Sequence, residues 1–153
     1  MPFHVVLLLS TLLCSLVAGF LFAFAVVVMP GIAKLGDREY LRAFQTMDRV
    51  IQDNQPLFLL VWVGSVLAVL AAAVLGFRQL AGMDLALMMT AAALYVFGVQ
   101  LPTIAIHIPL NNAVQRDAIS RRDFEPRWNR WNVFRTLCAI FVSALLLVLM
   151  LRS

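Results

Sequence analysis

Apolar positions in this chain fall into four long runs, separated by stretches where charged and polar residues return. The runs cover about Phe3–Val28, Pro56–Phe77, Leu85–Ile106 and Val133–Leu151. Each is long enough to cross a bilayer core of about 30 Å, which takes roughly 20 helical residues. Unpaired backbone groups are too costly in lipid, so each run is expected to be a helix. None contains Asp, Glu or Lys, and Arg135 is the one charge inside a run as drawn. The pattern predicts an all-α integral membrane protein. Its four spans form an antiparallel four-helix bundle, one domain over residues 1–153.

Between the first two runs the pattern changes to a period near 3.6. Pro30-Gly31 is expected to end the first helix, and Asp37 to cap a surface helix over residues 37–52. Tyr40, Phe44, Met47 and Ile51 share one face of that helix, with Arg38, Arg42, Arg49 and Asp53 opposite. This is an amphipathic interfacial helix, resting on the membrane surface or on the bundle end. Asp48 breaks the pattern by falling on the apolar arc beside Phe44. A carboxylate there needs a cation or several donors.

Composition agrees with the runs. The 153 residues are 63% apolar and 13% charged, with mean hydropathy +0.92, whereas soluble domains carry about 25% charged residues. A water-soluble enzyme, a nucleic-acid binder and a secreted disulfide scaffold are excluded together. The net charge of +4 is read as loop charge, not as a nucleic-acid surface. Ten of the twelve basic residues fall in or beside the first and third connections, and only Arg78 and Arg152 lie on the other side. The positive-inside rule then places loops 29–55 and 107–132 in the cytoplasm, with both termini outside. The first run lacks a basic leader and is too long for a signal peptide core, so it is expected to be retained.

Small residues mark helix contacts in membranes. Thr11, Ser15 and Gly19 repeat at spacings of four, as do Gly64, Ala68 and Ala72, and Ala86 precedes Ala91-Ala92-Ala93. Cys14 and Cys138 fall at different depths and have no CxxC partner, so both are expected to be buried thiols.

The remaining polar residues cluster toward the ends of the third and fourth runs that adjoin the third loop. Gln100, Thr103 and His107 share a helical face. Pro102 should kink that helix, and Pro109 should end it before Asn111 and Asn112. Trp128, Trp131, Asn132, Arg135 and Thr136 follow at i, i+3, i+4, i+7 and i+8. An arginine inside a span must find a partner, and Asp48 is the natural candidate. Two readings follow from that pairing: a structural Asp48–Arg135 clamp, or a site. His4 and His107 lie a bilayer apart and cannot share a metal, and one carboxylate with one histidine is too thin for a di-iron centre. No metal and no cofactor is expected. A transporter is disfavoured, because no inverted repeat or midplane charge pair is visible.

These residues resemble the small four-span membrane proteins grouped with the fungal anthrone oxygenases. The likeness rests on Met29-Pro-Gly31, the segment Gln52-Asp-Asn-Gln-Pro-Leu-Phe58, His107-Ile-Pro-Leu-Asn-Asn112 and Trp128-Asn-Arg-Trp-Asn-Val-Phe-Arg-Thr136. What the resemblance implies is a membrane oxygenase converting an anthrone-like aromatic to its quinone with dioxygen. On this reading a lipophilic aromatic partner enters from the lipid bilayer. His107 or Asp48 takes the phenolic proton, and Arg135 steadies the anion with Asn111 and Asn132. Asn112, Trp128, Trp131 and Gln100 are further candidates for substrate binding. The alternative is a non-enzymatic accessory subunit or small-molecule-binding bundle, forming a homo-oligomer or serving a membrane-protein partner.

Overall fold

The computed structural model describes residues 2–152, and among them five helices account for the architecture. Helix α1 runs over Pro2–Ile32, α3 over Pro56–Gln79, α4 over Gly82–Gln115 and α5 over Arg121–Arg152. All four are long and apolar enough to cross a membrane, and the chain is a multi-pass membrane protein. The short helix α2, Asp37–Gln52, lies between α1 and α3. Around the bundle α1 packs on α3, α3 on α4, α4 on α5 and α5 back on α1. Every neighbouring pair is antiparallel.

The helices extend past the apolar runs, and the prolines do not end them. α1 continues through Pro30 to Ile32. α4 continues through Pro109 to Gln115, and α5 begins at Arg121, twelve residues before the fourth apolar run. Wide i→i+5 turns explain this tolerance. They occupy Phe24–Val28 in α1 and both Tyr95–Gln100 and Thr103–His107 in α4. A proline removes one N–H donor and pushes on the carbonyl four residues back. Pro102 stands between two wide turns, while Pro30 and Pro109 follow one, where the regular ladder is already interrupted. Gly36, not Asp37, is the residue before α2, and its N–H donates to the Glu39 carboxylate at 3.4 Å.

The expected small-residue stripes are only partly the packing faces. In α1 the buried face is Leu7, Ser10, Cys14, Val17, Ala18 and Leu21, joined by Thr11, while Ser15 and Gly19 face outward. In α3 it is Ser65, Val69, Ala72 and Gly76, so Gly64 and Ala68 lie at its edge. In α4, Ala91 and Ala92 are buried and Ala86 and Ala93 are not. Both cysteines are buried free thiols.

The main core runs up the bundle from the ends bearing Phe3 and Leu149 to Leu21 and Val99. A second cluster joins α2 to the loop end through Met29, Tyr40, Phe44, Leu110, Phe124 and Trp128. Arg121 fastens this cap. Its guanidinium donates to the carbonyls of Leu35 (2.8 Å) and Ala33 (2.9 Å), reaches Glu125 at 2.6 Å and lies 4.3 Å over the Tyr40 ring. Burial, with the Glu125 carboxylate behind it, pushes the Tyr40 phenol above its ordinary range, so it stays protonated.

Candidate functional site

Beneath α2, where the four long helices meet it, lies a cavity of about 210 Å³. Two of the three wide turns border it. The wide turns of α1 and α4 bring Phe24, Thr103 and His107 to its wall. Such turns are uncommon and concentrate at functional sites. Phe20, Phe24, Phe44, Phe58, Trp62 and Trp128 give most of the lining, while Asp48, Asn111, Asn132, Thr103, His107 and Arg135 supply the polar atoms.

Asp48 and Arg135 do not pair; each has its own partners. The Asp48 carboxylate is buried and accepts three amide hydrogen bonds. Gln52 Nε2 donates to Oδ2 at 2.6 Å, Gln115 Nε2 to Oδ2 at 3.0 Å, and Asn111 Nδ2 to Oδ1 at 2.7 Å. Asn111 in turn accepts from Trp128 Nε1 at 2.9 Å, which fixes the orientation of its amide. These bonds hold α2 across α4. Gln45 adds to the seam, donating to the Val114 carbonyl at 2.6 Å and to Asp117 at 2.8 Å.

Arg135 is 5% exposed and has no carboxylate within ion-pair distance among the described residues. Its Nη1 donates to Thr103 Oγ1 and its Nη2 to Asn132 Oδ1, both at 2.9 Å, while the Nε–H has no partner. Asn132 is itself anchored, donating to the Leu21 carbonyl at 3.2 Å. Two neutral oxygens aim the guanidinium without neutralising it. A buried cation in this condition is costly, and one inside a membrane helix is a candidate functional residue.

His107 also packs against the Trp128 indole. Its ring meets that indole edge-on at 5.1 Å, and the Arg135 guanidinium lies 6.0 Å from the same ring system. Nδ1 sits 3.3 Å from the Pro102 carbonyl oxygen. A carbonyl can only accept, so the shared proton is on Nδ1, and in the neutral ring Nε2 is a bare acceptor. That Nε2 is buried and unpartnered. Two residues of the lining therefore carry unused buried groups among the described residues: His107 Nε2, an acceptor, and Arg135 Nε, a cationic donor.

Of the residues singled out from sequence, Asp48, His107, Arg135, Asn111, Trp128 and Asn132 converge on this cavity. Gln100 does not line it, but accepts from Trp62 Nε1 at 3.1 Å and so positions a wall residue. Asn112 stays on the rim, 3.5 Å from Gln52. Trp131 turns away and packs edge-on against Phe134. Sequence reasoning missed the aromatic wall of Phe20, Phe24, Phe58 and Trp62, because aromatics within apolar runs look like ordinary core. It also missed Gln52 and Gln115 as donors to Asp48. The polarity of Gln52 beside Asp48 was the available signal; Gln115 had none while α4 was ended at Pro109. Among the described residues no group of three or more His, Cys, Asp or Glu side chains could hold a metal ion.

Comparison with known proteins adds one match. No curated protein and no solved structure matches the chain. The family model described as anthrone oxygenase matches residues 44–145, a stretch containing α3, α4, all six polar residues named in the cavity wall and the greater part of α2 and α5. By that match, over two thirds of its length, the chain belongs to the anthrone oxygenase family.

Proposed function

We propose that this protein is a membrane oxygenase acting on lipophilic, weakly acidic aromatics of the anthrone or phenol class. The observation that carries the reading is a pair of unused groups on two residues that line one cavity. His107 Nε2 lacks a donor, and the Arg135 cation lacks an anion. A substrate that surrenders a proton and becomes an anion supplies both at once.

Anthrone has two hydrogens on the ring carbon opposite its carbonyl. His107 Nε2 takes one as a proton, and the negative charge collects on the substrate oxygen, where Arg135 holds it. Thr103 and Asn132 keep the guanidinium aimed. The electron-rich anion reacts with dioxygen at the ring carbon, forming a C–O bond, and His107 returns its proton to the peroxide. His107 then takes the second ring hydrogen as the O–O bond breaks, and hydroxide leaves with that proton as water. One anthrone and one dioxygen give one anthraquinone and one water, four electrons passing from carbon to oxygen. Asp48, held by three amides, is a second base candidate, a carboxylate at the capped end of the same cavity. The uneven basic residues support a topology with the loops around α2 and between α4 and α5 in the cytoplasm and both termini outside.

Oxygen uptake and quinone absorbance, followed with anthrone and the purified protein in phospholipid vesicles, test the reading. Uptake above the protein-free rate is expected, with His107→Phe about 10²-fold slower, the scale of a lost general base. Uptake no faster than without protein would overturn it in favour of a non-catalytic binding bundle or accessory subunit.

A further inference from the structure

We propose that ligands reach the cavity sideways from the bilayer, through the seam between α1 and α3 that Phe20, Phe58 and Trp62 close. Only the identity of what enters rests on the oxygenase reading. A second hollow of about 250 Å³ lies on the outer side of this seam, lined by Leu16, Val17, Leu57 and Val61 together with the same three rings. Those three rings also line the inner cavity. The cavity and the outer groove thus share one aromatic wall.

The two closures of the cavity differ in kind. Toward the loop end, α2 is held by the three amide bonds to Asp48 and by the Gln45 and Arg121 contacts. Opening there breaks several buried polar interactions together, each costly in a desolvated setting. Toward the lipid, the closure is side-chain packing. Phe58 stacks on Trp62 at 5.4 Å and 21°, and Phe20 meets both edge-on at 5.4 and 6.5 Å. One hydrogen bond, from Trp62 to Gln100, steadies the arrangement. Turning half-buried rings is a rotamer change, far faster than unseating a helix. Apart from the Trp62 indole N–H, the groove offers no polar side chain, so it selects flat apolar molecules and rejects water and ions. Arg135 and His107 then lie inward of the door.

The test uses a thiol in the cavity and a reagent that enters from lipid. Leu21→Cys places a thiol on the buried wall, and N-phenylmaleimide, which partitions into vesicles, labels it. The wild-type chain, with its two buried thiols, gives the background. Adding Val61→Trp in the groove, or Leu57→Trp at its exposed rim, is expected to slow labelling at least tenfold. Trp62→Ala is expected to speed it at least threefold. Ile108→Trp, on the α4 side of the cavity, is expected to change it less than twofold. Leu57 faces lipid, so its replacement keeps the test open if Val61→Trp does not fold. Ile51→Cys, on the same cavity, replaces Leu21→Cys in the same event.

Labelling unchanged by both groove variants, slowed instead by Ile108→Trp, or absent in a folded chain would overturn the portal. So would a charged, sulfonated maleimide reacting as fast as the lipid-soluble one. The labelling needs no substrate. Absent anthrone turnover with portal-dependent labelling would overturn the oxygenase reading alone, and the converse would overturn the portal alone.

Discussion

The two ends of this bundle are built from the same helices to opposite rules. At the end bearing the termini, Phe3, Leu7, Met88, Leu146 and Leu149 are sealed in an apolar core, and the helices keep regular 3.6-residue turns. Its polar link is at the rim, where Arg152 Nε reaches Asp84 at 2.6 Å. Toward the loop end lie two of the three wide turns, with the third, Tyr95–Gln100, at mid-helix; a cavity is left open, and an arginine is buried without a carboxylate among the described residues. Close packing stabilises the first end. The second gives up packing and charge compensation, and the stable half is what makes that tolerable. Proteins break local rules of this sort at functional sites and compensate elsewhere.

The sharpest way to break the comparison is to remove the uncompensated charge. Arg135→Leu is expected to lower anthrone turnover about 10³-fold, the upper range for losing one preorganised charge stabiliser. Its stability is expected to move by less than about 1 kcal/mol, since an apolar side chain replaces a buried cation that no anion neutralises. Turnover and thermal unfolding, measured on the same vesicle preparation, check both halves. A variant that keeps its turnover would make Arg135 a structural residue. A variant that unfolds would mean that Thr103 and Asn132 satisfy the guanidinium more fully than their two bonds suggest.

The stable half was the more legible of the two in the sequence, at the level of elements. Four apolar runs dictate four helices in lipid, and a 3.6 period with alternating faces marks α2. Which face each helix buries was less legible. α1 carries small residues at spacings of four on two faces, Ser10-Cys14-Ala18 and Thr11-Ser15-Gly19, and spacing alone cannot choose between them. At the loop end the obstacle was Pro109. Read as a stop, it removes Asn111 and Gln115 from the helix and leaves Asp48 with Arg135 as its evident partner. In the structure α4 runs on, its amides take Asp48, and Arg135 is left for the cavity. The polar residues of the site were visible one by one, but their pairing depended on a helix end that a wide turn conceals.

A smaller effect is expected where the two halves are joined, at the Asp48 seam. Asp48→Asn keeps the shape but replaces one acceptor oxygen with a donor. If the remaining oxygen serves Gln52 and Gln115, the new NH₂ faces the Asn111 NH₂. Flipping Asn111 only moves the conflict to the Trp128 indole N–H. One part-buried donor is left unpaired in either of these arrangements, and turning the new amide round instead forces Gln115 away from the Gln45 carbonyl; the cost is about 1–3 kcal/mol. The expected readout is faster proteolysis in the segment between α1 and α2, with the helices of the bundle still protected. Equal protection of that segment would mean that the amide seam does not hold the cap.

The main core can be tested near mid-bundle, where α4 packs tightly on α5. Gly98 faces Cys138 so closely that an added Cβ would meet Sγ at 2.8 Å and the cysteine Cβ at 3.1 Å. The backbone has nowhere to retreat, because Gly98 lies within the wide turn Tyr95–Gln100 and Val99 beside it is fully buried. Gly98→Ala is therefore expected to destabilise by about 1–3 kcal/mol, the usual cost of overfilling a packed interior. Cys138→Ala added to it removes the nearer contact and leaves the 3.1 Å one, so part of the loss should return. Gly19 makes the control: nothing lies within 4 Å of the Cβ it would gain. Gly19→Ala, on the outward face of α1, is expected to stay within about 0.5 kcal/mol of wild type. Thermal unfolding of the three variants in one detergent decides the matter. Equal stability for Gly98→Ala and Gly19→Ala would mean that the apolar core is loosely packed where it adjoins the cavity, and that close packing does not set the core apart from the open end.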